Sequence, residues 1–203
     1  MKQESLTVGA VIFPGFEMLD LYGPLEMFGL AGDGFQIRIV SESGEPVESS
    51  HGPRAIADDL FSDDRRYDIL LVPGGRGTRN EIHNRVILEW LKKRSWDCRF
   101  VTSVCTGSVL LAVAGVLEGR KATTNKLAFD WVASFGVNIE WQRKARWVED
   151  GKYFTASGVS AGIDMALALV DHILGPTAAE EAALRAEYQR NTDADRDPFA
   201  NVP

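Results

Sequence analysis

Three short apolar runs, each cut off by a turn, constrain this chain more than any other feature of it. Leu6–Phe13 is nearly continuous in apolar residues, Tyr67–Val72 is similar, and a β-branched run from Arg99 leads through Val104 to Cys105. Runs of this length without polar alternation belong to strands buried on both faces, which requires helices above and below the sheet. Helical spacing fills the intervals. Leu21, Leu25, Met27 and Phe28 recur at helical spacing, and a helix starting near Asp20 to Tyr22 keeps Pro24 in its first turn. Val86, Ile87, Trp90 and Leu91 mark another helix within Asn84 to Trp96. Alternation of this kind predicts an α/β fold, a doubly wound, mostly parallel sheet flanked by helices.

The remaining elements follow from smaller signals. Phe35–Val40 alternates like a strand, and Glu48–Ala57 reads as a weak hairpin broken around His51-Gly52-Pro53. After Cys105 come a small-residue helix at Ser108–Leu117, a short strand at Lys121–Thr124 and a helix at Lys126–Phe135 stopped by Gly136. Ile139–Val148 and Lys152–Thr155 flank Glu149-Asp150-Gly151, a hairpin turn. Ser160–Leu174 is a long apolar helix, and Thr177 with Glu180 three residues on reads as a capping box opening the last helix. The segment from Asn191 to Pro203 is polar and is expected to be loosely held. All 203 residues are read as one domain with its core between about residues 6 and 190.

A net charge of −7 without a local cluster of Lys and Arg repels phosphate backbones and anionic lipid, so neither a nucleic-acid nor a membrane partner is expected. The start, Met1 to Ser5, leads straight into the first strand with no secretory apolar region, and no stretch approaches the ~18 apolar residues of a membrane span. Cys98 and Cys105 are too few for a metal cluster and awkwardly spaced for a disulfide. A reducing cytoplasm is the expected home, with a small molecule as substrate and no metal.

In doubly wound sheets ligands bind beyond the carboxyl ends of the strands. Three turns there carry unusual residues: Phe13 to Asp20, Val72 to Gly75 and Val104 to Gly107. Cys105 stands where a strand must end and a helix begin within one or two residues, and the amides of a helix start favour thiolate. Gly107, without a Cβ, lets backbone pass close to the preceding strand or to a small substrate. A buried structural thiol fits the same place. Asp20 lies on the same sheet edge and can face the thiol, although its spacing favours a helix cap. Gly74 and Gly75 can present backbone N–H groups to developing negative charge, or simply make a tight turn. Thr106 offers a hydroxyl beside the sulfur, or a cap. Cys98 reads as structural, and His51, His83 and His172 fall on a hairpin, before a surface helix and on an apolar helix, away from a catalytic role.

Four motifs taken together are Phe13–Pro24, Val72-Pro73-Gly74-Gly75, Val101–Gly107 and Ser160–Asp164. In combination they resemble the ThiJ/PfpI superfamily, from about residue 6 to 190. Leu19–Pro24 and Thr102–Gly107 look most like the isocyanide hydratases within it. The resemblance implies a flavodoxin-like, class I glutamine amidotransferase-like fold and a cofactor-free hydro-lyase, a homodimer. It implies Cys105 as nucleophile, Asp20 as acid/base and Thr106 as a further polar contact. It also implies Gly75 and the Thr106 amide as oxyanion-type donors beside Gly74, with Val159 lining the pocket. Asn125 stands where related sequences often have His, which removes a histidine from that segment. The implied reaction adds water to an isocyanide to give an N-substituted formamide through a thioimidate.

Two other readings share the fold. A glyoxalase or deglycase would use the same cysteine, but such members tend to carry Glu at the position of Asp20. A redox-sensing or ligand-binding module is the other, with Cys105 oxidised. A DNA-binding regulator needs roughly 100 further residues, and only Asn191 to Pro203 follow the last helix. Trp131, Trp141 and Trp147 suit either an interface or the core.

Overall fold

The structure, a computed structural model, describes residues 5–201. Met1–Glu4, on which the expectation about the chain's start rests, and the last two residues of the tail lie outside it. In chain order the first half holds β1 (Leu6–Val11), α1 (Met18–Leu30), β2 (Phe35–Ser41), β3 (Val47–Glu48), β4 (Arg54–Ala55), β5 (Asp59–Leu60), β6 (Ile69–Val72), α2 (Thr78–Glu81) and α3 (Arg85–Asp97). The second half holds β7 (Phe100–Val104), α4 (Gly107–Val113), β8 (Lys121–Ala122), α5 (Phe129–Ala133), β9 (Glu140–Trp141), β10 (Trp147–Asp150), β11 (Tyr153–Ala156), α6 (Ala161–Leu174) and α7 (Pro176–Arg185).

Seven strands form one sheet in the order β10-β11-β7-β6-β1-β2-β5. Only the β10–β11 pair is antiparallel. The apolar runs take the central places: Val8 pairs with Ile69, and Ile69 with Phe100. Every residue of β6 is buried, which its unbroken Ile-Leu-Leu-Val requires. Helices α1, α6 and α7 pack against one another, and α3 with α4 forms a second group. The chain adds β2 on one side of β1 and later β6 on the other, so strand order reverses beside β1. The crevice expected at such a switch point lies where β1, β6 and β7 end.

Several sequence expectations change. Helix α1 begins at Met18, so Pro24 sits in its interior and leaves the Asp20 carbonyl without its helical donor. The start is set upstream, where the Glu17 N–H donates to the Gly74 carbonyl at 2.8 Å. The last helix is capped by Gly175 with Pro176 in its first turn, and Thr177 forms no capping box. Ile139–Val148 is not one strand: β9 pairs with β8 in a small parallel sheet, and only β10 joins β11 in the hairpin. Helices α4 and α5 are shorter than their apolar patterns. The weak hairpin forms as β3 and β4. Trp147 is core, and Trp131 and Trp141 are partly buried against it.

The tail is not loose. The Asn191 N–H donates to Asp164 Oδ1 at 2.9 Å, and the Ala194 carbonyl accepts the Arg146 N–H at 2.7 Å. The Asp197 N–H donates to the Lys144 carbonyl at 2.7 Å, and Asp197 is itself buried. Polar composition misled here because these residues are held by hydrogen bonds rather than by apolar burial. No described helix is long and apolar enough to cross a membrane.

Candidate functional site

Three turns meet at the end of the sheet. Cys105 follows β7 directly and carries φ of 56°, a left-handed conformation that costs a non-glycine residue roughly 1–2 kcal/mol. Its surroundings fix that conformation. The Cys105 N–H donates to the carbonyls of Ala156 and Ser157 at 3.1 and 3.0 Å. The Cys105 carbonyl accepts from Ser108 Oγ at 3.1 Å and Thr124 Oγ1 at 2.8 Å. Two residues later, Gly107 lies against the end of β6. A Cβ there would sit 2.7 Å from the Pro73 carbonyl oxygen, so among protein atoms the close approach is to the exit of β6 rather than to β7.

Asp20 is fully buried in the first turn of α1 and does not cap it. Its Oδ2 accepts the Gly74 N–H at 3.0 Å, while Oδ1 has no hydrogen-bond partner. Burial pushes this carboxyl up to about 8, against the lowering effects of the Gly74 amide and the Cys105 thiol beside it. Glu17 adds a like charge that raises it further. Cys105 is only 7% exposed, and burial followed by the neighbouring Asp20 charge lifts its thiol well above the usual value. The amide and hydroxyl of Thr106 oppose that shift. The expected thiolate therefore gives way at neutral pH to a neutral pair, thiol beside carboxylic acid. Two negative charges cannot share so dry a place.

The other candidates are distributed unequally. Thr106 stands at the start of α4 without a side-chain cap, because its hydroxyl is taken by the Gly75 N–H at 3.1 Å and by Thr78 Oγ1 at 3.1 Å. The amides of Gly74 and Gly75 are thus engaged by Asp20 and Thr106 rather than directed freely into a crevice. Val159 lines a cavity of about 350 Å³ with Leu19, Asn125, Lys126, Leu127 and Phe199. That cavity borders the residues holding the sulfur: Leu19 precedes Asp20, Asn125 follows Thr124, and Ser157 accepts from Cys105. Neither Cys105 nor Asp20 lines that cavity itself, and a larger hollow of about 550 Å³ between β3, the end of β2 and α3 lacks both them and their bonded neighbours.

Asn125 caps the turn before α5, its Oδ1 accepting the Ala128 N–H at 3.0 Å. His51, His83 and His172 are all exposed, and His172 packs edge-on to Phe100 and Phe154. Cys98 is buried with its thiol pushed up to about 12 by desolvation. Among the described residues no three His, Cys, Asp or Glu side chains are grouped to ligate a metal. Sequence reasoning missed Thr78, Thr124 and Ser108, whose hydroxyls hold the turn, and Lys126 and Phe199 in the cavity. Lone hydroxyls give no sequence signal, but Asp197-Pro198 is a turn signal placing Phe199.

The DJ-1/PfpI family profile matches residues 7–172. The chain belongs to this family. An isonitrile hydratase of Pseudomonas putida is 35% identical over 184 residues, which cover 91% of this chain and 79% of that protein. A deglycase of Thermococcus kodakarensis is 32% identical over 144 residues, 70% of this chain and 84% of the relative. Among solved structures, a ThiJ/PfpI family protein from Pseudomonas syringae superposes with a TM-score of 0.84. It is 33% identical and is covered to 80% by 99% of this chain. The likeness to a solved ThiJ/PfpI protein accounts for the fold, and the family spans proteins named for different reactions.

Proposed function

We propose that this DJ-1/PfpI protein is an isocyanide (isonitrile) hydratase that forms an N-substituted formamide through a thioimidate on Cys105. The observation that carries this is the fully buried Asp20 carboxyl in side-chain contact with the Cys105 thiol, its proton held up to about pH 8 by desolvation. An isocyanide carbon must gain both a proton and a nucleophile, and an adjacent acid and thiol provide both. Asp20 gives its proton to the isocyanide carbon as the Cys105 sulfur bonds to that same carbon. The thiol proton passes to the Asp20 carboxylate, so the pair ends the step neutral. Water then adds across the C=N bond, the C–S bond breaks, sulfur recovers its proton and the formamide leaves.

Thr106 places its amide and hydroxyl near the sulfur, where they hold charge that develops there. The Gly74 amide keeps the Asp20 carboxyl turned toward the site, and Val159 lines the approach. The 35% identity to an isonitrile hydratase supports this reaction among those named in the family. The test is formamide production from cyclohexyl isocyanide. Cys105→Ala abolishes it, and Asp20→Asn lowers the rate roughly 10²–10⁴-fold with an unchanged circular dichroism spectrum. Wild-type protein that leaves the isocyanide intact while consuming methylglyoxal overturns the assignment.

A further inference from the structure

We infer that the C-terminal segment Asn191–Ala200 is a fixed wall of the substrate cavity, and that its Phe199 selects isocyanides with a bulky apolar N-substituent. The inference rests on the hydratase reading for the identity of the substrate. Its geometric basis is separate. Phe199 is the cavity's contribution from a part of the chain remote in sequence from every other lining residue, which it joins with Leu19 of α1, Leu127 and Val159. Three of these side chains are conspicuously exposed for their type: Leu19 at 43%, Leu127 at 75% and Phe199 at 54%. Together they make an apolar mouth beside a buried acid and thiol, with no charge on it except Lys126.

The Lys126 charge is engaged by protein groups. Its ammonium is buried, donating to Thr123 Oγ1 at 2.9 Å and to the Ala145 carbonyl at 2.6 Å, and it lies 4.0 Å from Asp197 Oδ2. The other oxygen of Asp197 accepts the Phe199 N–H at 2.8 Å, and the Asp197 carbonyl closes the turn by accepting the Ala200 N–H at 3.1 Å. Pro198 fixes the backbone between them. Lys126, Asp197 and Pro198 thus hold Phe199 in place from beneath. Upstream, the tail is tied to Asp164, Arg146 and Lys144. A backbone held this firmly presents the half-exposed ring at one place, which lowers the ordering cost when an alkyl or aryl group packs on it.

The experiment compares wild type with Phe199→Ala and Phe199→Leu in two assays. The first is the ratio of kcat/KM for cyclohexyl isocyanide to that for methyl isocyanide. The second is the ratio of Cys105 alkylation rates by N-cyclohexyl iodoacetamide and iodoacetamide, read by peptide mass spectrometry. Wild type prefers the bulky reagent in both, Phe199→Ala lowers each ratio about tenfold, and Phe199→Leu restores most of it. Ratios that shift in alkylation without any isocyanide turnover by wild type leave the wall standing and overturn the hydratase reading. Turnover with ratios equal in wild type and Phe199→Ala overturns the wall alone. So does the absence of any wild-type preference, including no reaction at Cys105. A ratio that changes only together with the oligomeric state in gel filtration also overturns it, since the apolar mouth then belongs to an interface between copies.

Discussion

A carboxyl group that keeps its proton to about pH 8 makes Asp20 the residue whose titration governs this site. Its value rises from 3.8 on folding, so between about pH 4 and 8 the folded chain holds a proton that the unfolded chain has lost. Asp20 therefore contributes most to stability below pH 4, its contribution falls as pH climbs to 8, and it is flat above. Asp20→Asn carries no such dependence. The melting temperature of the variant relative to wild type rises steadily from pH 4 to 8 and levels off beyond, which thermal unfolding at a series of pH values measures. A constant difference across that range contradicts a buried neutral acid. On the proposed hydration the same titration predicts a declining limb near pH 8, because the ionised carboxyl has no proton to donate.

At the scale of elements, the site exists because three strand exits pack more closely than side chains allow. Gly107 shows this most directly, since a Cβ there meets both the Val72 and Pro73 carbonyls at the end of β6. Gly107→Ala is expected to cost about 1–3 kcal/mol by overpacking, with loss of activity as the Cys105 turn moves. Gly44→Ala, where nothing lies within 4 Å, serves as the control and changes stability by less than about 0.5 kcal/mol. Urea denaturation of both variants decides it. This closeness was half legible beforehand. The apolar runs of β1, β6 and β7 and the turn residues after them mark the sheet and its functional edge, because burial on both faces leaves no polar alternation. The direction in which Gly107 needed space was not legible, since sequence does not say which strands become neighbours. The same holds for Asp20. Its spacing favours a cap, and only the approach of Gly74 from β6 gives its Oδ2 a different partner.

On the scale of the whole molecule, the C-terminal segment is bound to the body through a buried ion pair that no periodicity announces. Arg146, just before β10, donates to Asp164 Oδ2 of α6 through Nε at 2.7 Å, and its Nη2 lies 2.6 Å from the same oxygen in an ion pair. Asp164 Oδ1 accepts from the Tyr188 hydroxyl at 3.1 Å and the Asn191 N–H at 2.9 Å. One carboxylate thus joins the sheet edge, α6, the end of α7 and the start of the tail. Its side chain is fully buried and that of Arg146 is 6% exposed, so removing either partner strands a charge without water. Asp164→Ala is expected to lose about 3–5 kcal/mol, and Arg146→Met a similar amount. Because both losses arise from one interaction, the double variant loses far less than their sum, and additive losses contradict the coupling. In Asp164→Ala the tail also loses its first anchor, which exposes Arg190 and Arg196 to trypsin. Cleavage there that is no faster than in wild type, at a temperature where the variant remains folded, shows that the anchors at Lys144 and Arg146 suffice to hold the tail without Asp164.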